Sequence, residues 1–488
     1  MLRAPSCTQA RFRLAARFPA RSAMPSRPIA NCTFLEQSRQ FSHRQSALPR
    51  GGWQCTASLM SDLTPDYPRI SFSVKQMAVV LVILSSKTNE ARALTVLFRQ
   101  GPMTRAELAR SLGLTRSTTG NLVQSLVEAG FARENPEGVE DGGARVGRPG
   151  ILVEIDGDGA FFLGADIGID RIEALAIDLA GTVRARMGRA FDGRDSDPVQ
   201  TIAATVALIH AVTATLPVPG RVRGLSVAIP GFPAADGESH HAMILGWHGL
   251  PLAKLLEEAF DGDVPILLEN DANAFAVAET YRWTGENHDP EDVLVVLIEN
   301  GLGGGIISGG RLHRGLLRGA GEIGHMPVGE EGYVFDSVRP GRLESYVGKS
   351  ALLARDAYRA GTPRSLDAFL AALDEGEALA RLTAEEWGRW LARGLTAVVC
   401  MLEPQRIIVG GSVGAVYPFV AASIEALMRS ALVEGYPMPL IQTAAADINR
   451  PALGAAYLMH QAMLSNETPA ALPCPPGSGQ EDTHDGQR

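Results

Sequence analysis

The sequence predicts an α/β protein in which a winged helix-turn-helix is followed by a larger body of alternating strands and helices. Three observations predict it. Apolar residues recur at helical spacing, broken by cap and turn signals, from residue 89 onward. Short apolar strands alternate with helical stretches from residue 161. Several of those strands run straight into clusters of carboxylates, amides and glycines. The expected organisation is an extension over residues 1–84, a head over 85–158, a body over 159–465 and a tail over 466–488.

The extension is basic, carrying nine arginines against the single acid Glu36 up to residue 60, with many Ser, Pro and Ala residues. That is transit-peptide composition; the competing reading is a translation start further on, near Met60 or Met77. It has no sustained apolar periodicity, so disorder is expected there, as in the Pro-, Gly- and Asp-rich tail. The apolar run at residues 77–84 falls far short of the ~20 residues of a membrane-spanning helix, and a soluble, cytoplasmic chain is expected.

In the head, Ala93, Leu94, Val96 and Leu97 mark a first helix that Gly101-Pro102 stops. Thr104 followed by Glu107 is a capping box for a second helix through Leu108 and Leu112. Gly113 supplies the tight turn, and Thr115 caps a third helix whose Leu122, Val123, Leu126 and Val127 face inward. Its outward face is expected to carry Arg116, Ser117, Thr119, Asn121 and Gln124, short polar groups and one guanidinium suited to phosphates and base edges in a major groove. A β-hairpin wing follows, with Arg145 or Arg148 placed to reach phosphate or a minor groove. Charge alone does not decide for DNA. The formal net charge of the chain is −9, and residues 85–150 hold nine basic groups against seven acidic ones. The competing reading is a three-helix packing module with a solvated face; the order of cap, short turn, polar helix and basic wing favours DNA.

In the body, strands are expected at residues 161–167, 172–178, 224–229, 264–268, 293–298 and 406–409, with helices at 199–216, after 271 and around 451–463. Asp271 stands where a strand gives way to a helix, near the positive end of the helix dipole. It either accepts a ligand hydroxyl or merely caps its helix, and the local sequence does not separate the two. Glu322 and His325 lie three residues apart, on one side of a helical turn, and Glu344 follows. The five cysteines are scattered, with no ligand spacing, which points to a reducing compartment without structural disulfides.

In this order the segments resemble the ROK family (repressors, open reading frames, kinases). The most specific stretches are LGWHGLPL at residues 245–252, ENDANA at 269–274, GAGEIGHMPV at 319–328 and IIVGGSV at 407–413. The resemblance runs over residues 89–463 and implies a two-lobed body of actin/hexokinase architecture. A winged head ahead of that body resembles the family's transcriptional regulators, as in xylose- and N-acetylglucosamine-responsive repressors. Carried over by position, the resemblance implies that Asn270, Asp271, Glu322, His325 and Glu344 hold sugar hydroxyls. Asp271 stands at the place of a kinase's catalytic base, and for a sugar kinase it would deprotonate the attacking hydroxyl.

The chain departs from the kinases on the nucleotide side. Their first phosphate turn reads D-x-G-G-T, where this chain has Ile169 and Asp170 in place of the second glycine and the threonine. Their second reads G-T-G-x-G, where Glu299 and Asn300 replace the first glycine and the threonine. Bulk and negative charge should spoil phosphate binding there. The family's zinc cysteines fall on Phe335, Ser337 and Arg342, so no metal site is expected, and no cofactor. The expectation is a dimeric sugar-responsive repressor, with operator DNA and a sugar as partners. The alternative is an ATP-dependent sugar kinase using Asp271.

Overall fold

The structure, a computed structural model, describes residues 88–136, 151–234, 239–281, 291–331, 339–444 and 450–465. The extension, the tail, Arg145, Arg148, Phe335 and Ser337 lie outside the described residues.

The head forms as its cap signals dictate. Helix α1 (Thr88–Gln100) ends at Gly101, a two-residue strand β1 (Met103–Thr104) follows, and Thr104 caps α2 (Arg105–Leu112). The capping box closes in both directions: the Glu107 amide donates to Thr104 Oγ1 at 3.2 Å, and the Thr104 amide donates to Glu107 Oε2 at 2.9 Å. Gly113 takes the left-handed conformation at φ 67°, which ends α2 and frees the chain to turn into α3 (Arg116–Glu128) under the Thr115 cap. Strands β2 (Ala132–Asn135) and β3 (Leu152–Ile155) pair antiparallel, and β1 joins the other edge of β3, completing a winged helix-turn-helix.

The body holds two five-stranded sheets of the same plan. In the first, β4 (Phe161–Ile167), β5 (Arg171–Asp178) and β6 (Val183–Ala190) form an antiparallel meander. Helix α4 (Pro198–Ala214) leads to β7 (Val222–Ile229), which lies parallel to β4. A small sheet of β8 (Phe232–Pro233), β9 (His240–Ala242) and β10 (Trp247–Leu250) precedes α5 (Leu252–Ala259). Strand β11 (Ile266–Asn270) then pairs parallel to β7, and α6 (Asp271–Thr280) leaves it directly. In the second sheet, β12 (Val293–Ile298), β13 (Leu302–Ser308) and β14 (Arg311–Leu312) repeat the meander. A helical turn α7 (Glu344–Val347) is followed by α8 (Lys349–Ala360), α9 (Leu366–Asp374) and the 25-residue α10 (Ala378–Leu402). Strand β15 (Arg406–Gly410), helix α11 (Tyr417–Ala431) and strand β16 (Leu440–Thr443) complete that sheet, with β15 and β16 parallel to β12. Helix α12 (Arg450–Leu464) ends the fold.

Strands β4 and β12 are buried on both faces, which accounts for their unbroken apolar sequences. Strand β6, at a sheet edge, alternates in exposure and carries three arginines; such charge protects an edge against pairing with other chains. Helices α6 and α12 cross between the sheets, α6 against β12 and β13 and α12 against β4, β5 and β7. They touch closely. A Cβ added to Gly454 would stand 1.6 Å from the carbonyl oxygen of Ala274, and one on Gly305 2.5 Å from that of Ala272, so only glycine fits at either place.

The head does not hang free of the body. Leu94 and Leu97 of α1 belong to the same buried cluster as Phe162 of β4 and Leu453, Tyr457 and Leu458 of α12. Phe98 packs its ring 5.3 Å from that of Tyr281 and 4.8 Å from that of His460. His460 is fully buried, with Nε2 2.8 Å from the Leu179 carbonyl and Nδ1 2.7 Å from the Tyr281 hydroxyl. A carbonyl can only accept, so Nε2 carries the proton and Nδ1 accepts from Tyr281.

Candidate functional site

The sugar-side residues named from the sequence converge on one cleft of about 1030 Å³ between the two sheets, and all five line it. They do not play equal parts. Asn270 caps α6: its Oδ1 accepts from the Asn273 amide at 3.1 Å, and its Nδ2 donates to the Gly231 carbonyl at 2.9 Å. Both ends of that amide are engaged within the fold, so Asn270 orients the helix start rather than standing ready for a ligand. The cap reading considered for Asp271 therefore belongs to its neighbour.

Asp271 is the first residue of α6, and its Oδ1 accepts the adjacent Ala272 amide at 2.8 Å. Burial, reinforced by the charge of Glu299, pushes its carboxyl up to about 6. Behind it, Glu269 is 4% exposed and accepts from Arg314 Nε at 2.7 Å, Arg318 Nη2 at 3.2 Å and Asn273 Nδ2 at 3.1 Å. Burial would raise Glu269, but the two guanidinium groups outweigh it and hold the carboxyl below its usual range. This buried ion cluster anchors the strand end from which Asp271 projects.

Across the cleft, Glu322 precedes a 3₁₀ turn, Ile323–His325, and Glu344 opens α7. The His325 ring lies between them, with Nε2 3.6 Å from Glu322 Oε2 and Nδ1 3.4 Å from Glu344 Oε1. It is half exposed at the cleft mouth, not a buried core histidine. Burial pushes Glu344 up to about 7, although the Leu302 amide donates to it. Glu322 is raised by burial and by the charges of Asp271 and Glu344, against the pull of His325. The result is a group of carboxyl acceptors and an imidazole facing one space, chemistry that suits a polyhydroxylated ligand.

On the other side of the cleft the two turns expected to have lost phosphate binding are bridged by the chain itself. Asp170 Oδ2 lies 2.7 Å from Lys349 Nζ and accepts from Asn300 Nδ2 at 3.3 Å. Burial would raise the Asp170 carboxyl, but these partners hold it below its usual range. Glu299 accepts from both the amide, at 2.7 Å, and the hydroxyl of Ser412. Ile169 departs from expectation. Its side chain joins the core cluster around Ile167, Leu245 and Trp247, so charge rather than side-chain bulk distinguishes this turn.

On the head, Arg116, Ser117, Asn121 and Gln124 are exposed along one face of α3, with Gln124 Nε2 donating to Glu128 at 2.9 Å. Thr119 corrects the sequence reading: it is fully buried, and its hydroxyl donates to the Thr115 carbonyl at 3.0 Å. One turn of helix rotates it inward beside Leu122 and Val123, and Thr118 takes its place on the exposed side. Sequence reasoning also missed the partner of Asp170, since Lys349 lies 179 residues away, and the contact of Tyr281 and His460 with Phe98. No local spacing could have signalled either.

A family model described as ROK family matches residues 162–462, and one described as an IclR helix-turn-helix domain matches residues 92–136. The xylose repressor of Bacillus subtilis is 27% identical over 372 residues, which span 75% of this chain and 94% of that protein. The DNA-binding transcriptional dual regulator NagC of Escherichia coli is 24% identical over 398 residues, 79% of this chain and 95% of that protein. Among solved structures, a ROK family transcriptional regulator, a homolog of the E. coli MLC protein, superposes with a TM-score of 0.62 at 21% identity, covering 80% of this chain and 97% of its own. A ROK family glucokinase from Streptomyces griseus in complex with glucose and AMPPNP superposes with a TM-score of 0.53 at 26% identity, covering 62% of this chain and 100% of its own.

Proposed function

The chain belongs to the ROK family, and from that premise we propose that it is a DNA-binding transcriptional repressor of carbohydrate genes, controlled by a sugar or sugar derivative held in the interlobe cleft. One observation carries the reading. The carboxyls and imidazole of the sugar side face open cleft, while Asp170 and Glu299 are tied to partners of their own across the phosphate side, in a chain whose helix-turn-helix shares the body's core.

Asp271, Glu322, His325 and Glu344 hold the sugar hydroxyls, and Asn270 sets the start of α6. Arg116, Ser117, Asn121 and Gln124 of α3 face the major groove, their exposure supporting that role. Arg145 and Arg148 belong to the same proposal as wing contacts. Two heads are needed to read two half-sites a helical turn apart, roughly 34 Å, so the working unit is a homodimer. Sugar binding biases lobe closure, and α6 and α12 pass that bias from the cleft to the surface under α1. The chain acts on DNA in the cytoplasm, as the repressor relatives suggest; among the described residues no helix is long and apolar enough to cross a membrane.

The experiment is protection of the DNA upstream of the protein's own gene, titrated with a panel of pentoses, hexoses and amino sugars. A protected operator that one sugar releases supports the reading. The kinase alternative has one observation in its favour, the Asp271 carboxyl at about 6, suited to a general base. ATP-dependent phosphorylation of any panel sugar, abolished by Asp271→Asn, would establish it instead.

A further inference from the structure

We propose that the cleft takes its effector unphosphorylated, accepting a neutral or cationic saccharide and rejecting sugar phosphates, because the chain's own carboxylates occupy the donors that a phosphate would use. The proposal rests on the sugar-effector reading above and deepens it.

A phosphate in a protein cleft is held by backbone amides at glycine turns, by helix N-termini and by lysine or arginine. Each of these is present here, and those nearest Asp170 and Glu299 are engaged. The amide that follows Gly410-Gly411 belongs to Ser412, and it donates to Glu299 at 2.7 Å. The start of α6 is filled from within, the Asn273 amide donating to Asn270 and the Ala272 amide to Asp271. Lys349 is bound to Asp170 at 2.7 Å. The remaining cations that line the cleft are matched as well: Arg171 lies 2.8 Å from Glu173, Arg450 lies 3.0 Å from Glu279, and His325 stands between Glu322 and Glu344.

The field left over is negative. Burial raises Asp271 and Glu322 first, and the charges of Glu299 on Asp271 and of Asp271 and Glu344 on Glu322 add to it, so these carboxyls repel one another across the space a ligand would enter. A phosphoryl group on a sugar held by Asp271 would bring further like charge between Asp271 and Glu299, with Lys349 and the Ser412 amide already taken by the chain's own carboxylates. A hydroxyl or an ammonium group meets the same carboxyls as acceptors.

The test is calorimetric titration of the full chain with matched pairs: D-glucose, D-xylose, N-acetyl-D-glucosamine and D-glucosamine, each beside its terminal phosphate ester. The expected result is that any sugar that binds does so at least ~100-fold more tightly than its phosphate. In Asp170→Asn/Glu299→Gln, the phosphate should gain at least ~10-fold while the free sugar stays within ~3-fold; operator binding by the same sample confirms that the variant is folded. A phosphate that binds the wild type within ~10-fold of its parent sugar, or binds when the parent does not, overturns the proposal. So does a gap that the double variant leaves unchanged. If neither member of any pair binds, the sugar-effector reading itself falls, and the proposal with it.

Discussion

Asp271 and Glu344 are carboxyls placed where their charge is unfavourable, and that has a consequence for stability. Their ordinary values of 3.8 and 4.5 rise to about 6 and about 7 in the fold. Between pH 4 and 7 the folded chain therefore holds protons that the unfolded chain has released, and stability falls as pH rises through that window. Replacing either carboxyl by its amide removes the penalty. Asp271→Asn and Glu344→Gln should each melt higher than the wild type at pH 8, by a difference of order 2 kcal/mol, and the gain should vanish near pH 4. Thermal melts at the two pH values decide it; no gain at pH 8 would contradict the burial of these groups. The same variants should weaken sugar binding by at least ~10-fold, because a planar, charged hydrogen-bond acceptor has become a neutral group that both donates and accepts. Group-level chemistry of this kind was partly legible in the sequence. The family resemblance singled out the cleft residues proposed to hold the sugar, but that Asn270 would be consumed as a cap while Asp271 stayed facing the cleft depended on which of two adjacent side chains turned back onto the helix.

Helix α3 shows how far local rules reach. Its start, its Thr115 cap and its buried Leu122, Val123 and Leu126 follow from capping chemistry and helical spacing, which involve residues within a turn or two of each other. Thr119 was misplaced because a β-branched polar side chain sits as readily at the edge of the apolar stripe as outside it, its hydroxyl satisfied by the carbonyl four residues earlier. Two outcomes separate the faces. Asn121→Ala or Arg116→Ala should lower operator affinity by ~10-fold or more, about 1–3 kcal/mol, without moving the melting temperature. Thr119→Val should leave operator affinity within ~3-fold and reduce head stability by about 1 kcal/mol or less. Gel-shift titration with thermal melting checks both; a large loss of DNA affinity in Thr119→Val would return that residue to the groove-facing set.

The molecule as a whole is organised around the crossing of α6 and α12. One end of α6 carries Asp271 in the cleft, and Tyr281 just past its other end meets Phe98 of the head. Because Gly454 lies against the Ala274 backbone, Gly454→Ala should separate the helices and destabilise the chain by ~3 kcal/mol or more, read by chemical denaturation. Tyr281→Phe is the milder probe. It leaves Nδ1 of the buried His460 without its donor and should cost about 1–2 kcal/mol. It should also speed amide exchange in α1 while sugar affinity stays within ~2-fold; unchanged exchange in α1 would show that the head does not depend on this contact.

By itself the sequence determined the winged head, an alternating α/β body, the positions of β4, β5, β7, β11, β12 and β15 and the Thr104–Glu107 capping box, while the two-lobed plan and the changed phosphate turns came from the resemblance to the ROK family. The head, those strands and the cap are set by periodicity or by hydrogen bonds between residues a few positions apart. Only the tertiary structure decided that Ile169 turns into the core, that Asp170 meets Lys349 across the cleft and that α1 packs on α12. Those pairings are brought about by chain crossings between separate sheets, and no short-range pattern records which distant side chain will arrive.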